Sequence, residues 1–145
     1  LLIGAGALVL VGGGAGGFLW WKAGQVKQGA AAHQAPPKTP SVFVPLDPPF
    51  VVNFQSAEAV RFLQIEVRLA AKNPETAEML KQNDPIVRND LLMLFGNQDL
   101  KALNAMNGKE HLRELALATV RNVIRGVGGD PASVENVYFT SFVMQ

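Results

Sequence analysis

Leu1 to Trp21 carry no charged side chain, no proline and no strongly polar group, and this run constrains the chain more than any other feature. As an α-helix, about 21 residues rising about 1.5 Å each cover roughly 31 Å, the hydrocarbon thickness of a bilayer. Trp20 and Trp21 followed by Lys22 form the aromatic and then basic edge of a headgroup boundary, so residues 1–21 are expected to be a membrane anchor. A cleaved signal peptide is the competing reading, with Ala30, Ala31 and Ala32 as a small-residue cleavage site. The apolar run exceeds the about 7 to 15 residues of a signal core, which favours the retained anchor. Within the run, Gly12 with Gly16 and Gly13 with Gly17 place small residues four apart on one helical face. That spacing lets two membrane helices approach closely, so helix association is expected there.

Residues 22–41, KAGQVKQGAAAHQAPPKTPS, hold almost nothing to bury and read as a linker, stiffened toward its end by Pro36, Pro37 and Pro40. Its His33 has no second ligand nearby and reads as a solvated side chain. Of the 13 Lys and Arg, the linker holds Lys22, Lys27 and Lys38, leaving 10 beyond it against all 12 Asp and Glu. A mildly acidic folded part of this kind is a poor match for nucleic acid. With no cysteine in the chain, disulfide and thiolate chemistry are excluded. The three linker lysines taken alone place the following residues in the cytoplasm.

The domain is expected over residues 42–145. FVVNF (50–54) reads as a short strand, led by a stiff segment containing Pro45, Pro48 and Pro49 that ends the linker before it. Residues 60–71 alternate, with Leu63, Ile65, Val67 and Leu69 on one face and Gln64, Glu66 and Arg68 on the other, so the two strands form a hairpin. Asn73 followed by Pro74 announces a helix, and Pro85 either kinks it or restarts it. One kinked helix ending near Phe95 and Gly96 is the preferred expectation. A second helix is expected from Asn107, with Glu110 completing a capping box. Its core stripe is Leu112, Ala116, Val120, Val123 and Val127, and it ends at a left-handed Gly128 or Gly129. His111, beside that stripe, reads as a surface side chain. VENVYFTSFVMQ (134–145) is apolar on both faces and reads as a central strand, or as one that meets another subunit. The fold class is therefore α+β, a mainly antiparallel sheet packed with two or three helices in two layers.

Catalysis needs convergent nucleophiles, bases or metal ligands, and the sequence offers neither His-Glu-x-x-His nor Gly-x-Ser-x-Gly. No catalytic, cofactor or metal residue is predicted, and the residues themselves lead only to a membrane-anchored binding or scaffolding domain.

Three stretches go further. LDPPFVVNF, NDPIVRNDLLMLF followed by GKEHLRELALATVRNVI, and the final VYFTSFVMQ resemble the flagellar basal body-associated FliL family. The resemblance covers nearly the whole chain and implies a single-pass protein of the bacterial inner membrane with its C-terminal domain in the periplasm, against the hint from the linker lysines. It also implies a Lys- or Arg-rich cytoplasmic segment before Leu1, a stomatin/SPFH-like domain, and a ring of copies around the stator proteins MotA and MotB, with basal body ring components as further partners. The function so implied is non-enzymatic support of flagellar rotation and of swimming or swarming. The alternatives are an SPFH-like membrane scaffold unrelated to motility and a membrane-tethered periplasmic hydrolase or binding domain. For contacts between copies or with partners, the candidate residues are the strand aromatics Phe50, Phe54 and Phe142 and the helical arginines Arg88, Arg121 and Arg125.

Overall fold

The computed structural model describes residues 38–55 and 60–145. The expected span, with Gly12, Gly13, Gly16, Gly17, Trp20, Trp21 and Lys22, and most of the expected linker lie outside the described residues. Among the described residues no helix is long and apolar enough to cross a membrane.

Alternation along residues 60–71 produces β2 (Val60–Ala71), the middle strand of a three-stranded antiparallel sheet ordered β1-β2-β3. A period of two sends Leu63, Ile65, Val67 and Leu69 into the core and leaves Gln64, Glu66 and Arg68 exposed, as the sequence predicts. The first strand, β1 (Val42–Gln55), is longer than expected. The prolines lie inside it rather than before it. Between Leu46, opposite Val67, and Phe50, opposite Ile65, four steps along β1 match two along β2. Asp47, Pro48 and Pro49 fill that bulge, where residues without an amide hydrogen can be held without leaving a broken ladder.

The third strand, β3 (Val134–Met144), pairs only with β2 among the described residues. It is an edge strand, which corrects the expectation of a central one. The hairpin has already placed β1 along one side of β2, so β3 takes the other.

Four α-helices, α1 (Pro74–Gln82), α2 (Asp84–Gly96), the short α3 (Leu100–Asn104) and α4 (Gly108–Gly126), and a 3-10 turn (Pro131–Ser133) connect β2 to β3. Asn73 caps α1 by accepting a 2.8 Å hydrogen bond from the Thr76 amide. The single kinked helix is in fact two helices. Asn83 leaves helical geometry at φ −104°, ψ 17°, and its backbone and side-chain N–H groups both donate to the Met79 carbonyl. Pro85, lacking an amide hydrogen, then fits the first turn of α2 at no cost in hydrogen bonds.

Asn107 does occupy the position before α4, but its side chain makes no capping bond. Glu110 instead accepts from Arg113 Nε at 2.9 Å, so the expected capping box is replaced by an ion pair one turn further in. The helix ends in a Schellman arrangement. Gly128, at φ 87°, donates to the Arg125 carbonyl and Gly129 to the Ile124 carbonyl.

The helices cover one face of the sheet. Leu80 of α1, Val87, Leu91 and Phe95 of α2, and Leu112, Ala116 and Val120 of α4 all reach the same buried cluster as the inner residues of the strands. Phe95 sits edge-on to Phe50, with ring centroids 5.2 Å apart, and to Phe139 at 5.9 Å. One aromatic thus ties α2 to both outer strands.

Candidate interaction surface

A sheet covered on one face presents the other to whatever surrounds it. On this second face, Phe43, Val51, Phe62, Tyr138 and Val143 are all exposed, Phe43 and Val51 at 55% each. Strand register arranges them in two groups. Phe43 lies opposite Ala70 and Tyr138 opposite Arg68. Because Ala70 is small, the two rings meet over it with centroids 6.1 Å apart. Toward the other end, Val51 and Val143 flank Gln64 from either side, and Phe62 lies one pleat further along β2.

Glu66 stands between the groups, and Arg68, two residues along on the same face, lies beside Tyr138 at the edge of the first. A shallow depression of about 420 Å³ lies against Phe43, Arg68 and Tyr138, and one of about 200 Å³ against Val51, Phe62 and Val143. Such a face can bind another surface through two apolar ends and a charged middle. Among the described residues no group of three or more His, Asp or Glu side chains could hold a metal ion.

The residues expected at an interface fall elsewhere. Phe50 and Phe54 are core, 2% and 7% exposed, because their parity in β1 turns them toward the helices. Phe142 is half-buried at the inner rim of β3, with the Lys109 ammonium 5.0 Å from its ring centroid. Arg88 is turned inward. Its guanidinium carbon lies 4.5 Å from the Phe50 ring centroid and Nη2 donates to the Pro48 carbonyl at 2.8 Å. Nη1 is buried and has no hydrogen-bond partner among the described residues.

Arg121 Nε donates to the Val134 carbonyl at 3.0 Å, joining α4 to the start of β3. Arg125 is exposed and bonds Asn122 of its own helix at 2.7 Å. The two arginines line, with Glu114, a depression of about 380 Å³ on the outside of α4, so they are the expected residues that the fold does bring together. Nearby, the hydrogen bond from Arg113 holds the Glu110 carboxyl below its ordinary pKa, and the same bond raises that of Arg113. Arg113 also reaches the Asn136 side chain, a second link between α4 and β3.

The open face escaped the sequence reading. Its signal was present: Phe62 breaks the polar side of the β2 alternation, and Phe43 and Val51 share its parity once β1 is extended back to Val42.

Comparison with known proteins gives concordant matches. The family model for "Flagellar basal body-associated protein FliL" matches residues 43–145. The "Flagellar protein FliL" of Aquifex aeolicus (strain VF5) is 31% identical over 115 residues, which is 79% of this chain and 68% of that protein. The protein of the same name from Escherichia coli (strain K12) is 33% identical over 130 residues, 89% of this chain and 80% of its own length. The same figures hold for that of Shigella flexneri.

Proposed function

Because this chain belongs to the flagellar basal body-associated FliL family, we propose that it is a non-enzymatic, membrane-tethered component of the flagellar motor that supports the stator units during rotation. The observation that carries this reading is the family match, which runs from Phe43 to Gln145 and so takes in the whole sheet and every helix between its strands. Residues 1–21 anchor the chain in the inner membrane by a single pass, residues 22–41 are the linker, and the domain from residue 42 onward hangs in the periplasm as a stomatin/SPFH-like unit. Trp20, Trp21 and Lys22 mark the membrane boundary, and the paired glycines bring neighbouring anchors together.

Several copies then stand side by side around MotA and MotB, with the Arg121 and Arg125 surface of α4 available for charged contacts. Confinement to the membrane plane raises the effective concentration of copies, so individually weak contacts suffice for assembly.

The test is a chromosomal deletion with motility measured at several viscous loads, together with copurification from detergent. Flagella should assemble in the deletion strain while swimming and swarming weaken as load rises, and MotA and MotB should copurify with the tagged chain. Unchanged motility at every load, with no stator protein recovered, would remove this reading.

A further inference from the structure

We propose that the open sheet face is a contact between two copies of this chain, packed face to face about a two-fold axis that crosses β2 near Val67 and runs perpendicular to the strands. The inference stands apart from the motor reading, since it uses only the surface of the domain.

The charges select this arrangement. Glu66 and Arg68 lie one residue to either side of Val67 on the same exposed face, about 7 Å apart at the usual strand rise. A two-fold axis perpendicular to the strands reverses the strand direction of the second copy. It therefore sets Glu66 of each copy against Arg68 of the other, making two reciprocal ion pairs. An axis parallel to the strands would oppose Glu66 to Glu66 and Arg68 to Arg68, which is repulsive.

The apolar groups obey the same symmetry. Reversal lays Phe43 of one copy over Val51 of the other, and Tyr138 over Ser141 one pleat from Val143, so apolar side chains of both ends leave water together. Five exposed apolar side chains on one face of a small domain call for such a cover. Residues 1–37 are a poor substitute, because they contain no Asp or Glu with which to meet Arg68.

An isologous contact of this type closes at two copies. It differs from a side-by-side contact that would build a ring, which is heterologous and does not close at two.

Full-length protein in detergent, examined by sedimentation across a concentration series, tests the charges. Glu66→Arg and Arg68→Glu should each weaken self-association by about tenfold or more, and the double variant should restore it, because the swap recreates both pairs. Single variants that associate as well as the parent, or a double variant as weak as the singles, would overturn the proposal.

The absence of cysteine allows a direct geometric check. When Phe43→Cys and Val51→Cys chains with different tags are expressed together, a short bis-maleimide should join the two tags into one species. Failure to link them would also overturn the proposal, as would linkage of the Phe43→Cys chain only to itself or to an unrelated protein.

Discussion

Arg88 shows how a charged helix residue can belong to the interior without a carboxylate. Its guanidinium lies over Phe50 and closes the outward-turned carbonyl of Pro48, so one side chain fastens α2 to the bulge of β1. Removing it leaves that carbonyl without its partner and exposes an aromatic face. Arg88→Ala should cost about 1 to 3 kcal/mol in urea unfolding, and Arg88→Lys should recover little of it, since an ammonium cannot both stack and bond. Gly129 is constrained by its neighbours. A Cβ there would come within 2.5 Å of Met79 Sδ and 2.7 Å of Ile124 Cγ2, so Gly129→Ala should cost about 1 to 3 kcal/mol through overpacking. The Glu110–Arg113 pair carries a pH signature. Because the carboxyl is lowered in the folded state, the small stability it contributes is full above the ordinary carboxylate range and disappears as pH falls through the lowered value. A carbon-detected titration should place Glu110 below the ordinary glutamate value, and Arg113→Gln should return it there.

Elements were legible where one periodicity or one cap decided the outcome. The alternation of β2 and the stripe of α4 depend only on which side of an element is wet, and both appear as expected, except that Val127 stands exposed past the helix end. The α1 start was equally readable, because Asn73 followed by Pro74 satisfies two local requirements at once. Where two local solutions compete, the sequence is insufficient. Asn107 and Glu110 have the spacing of a capping box, yet Arg113 lies one turn on and takes the carboxylate. The two asparagines should therefore behave differently. Asn73→Ala should lower stability by about 1 kcal/mol and Asn107→Ala by less, a contrast that paired denaturant curves would resolve. The candidate surface was the least legible feature, because the outer residues of β1 and β3 resemble core in any apolar count. Only register reveals that Phe43 and Tyr138 share a face, and only the placement of all four helices on the opposite side reveals that no described element covers them. Phe50 and Phe54 are turned into the core, because an apolar strand residue reads the same from sequence whether it faces the helices or a partner.

At the scale of the molecule, the residues from Thr39 to Gln145 form one unit with a single buried cluster reaching from β1 to β3. That unit should fold when produced alone and unfold in one cooperative transition, with near-ultraviolet circular dichroism and fluorescence reporting the same midpoint. Phe95 is its centre. Phe95→Ala removes the ring shared by Phe50 and Phe139 and should cost about 3 to 5 kcal/mol in the same experiment. The bulge in β1 has a further consequence at this scale, which is best expressed in the language of polymer growth. A sheet with two free edges is a bifunctional monomer and can extend without limit. Pro45, Pro48 and Pro49 take amide hydrogens out of one edge and kink it, so β1 is a capped end, and Arg121 already occupies the Val134 carbonyl on the other edge. The domain is thereby left monofunctional at most in strand addition: two sheets could join through β3, and the chain reaction would terminate there.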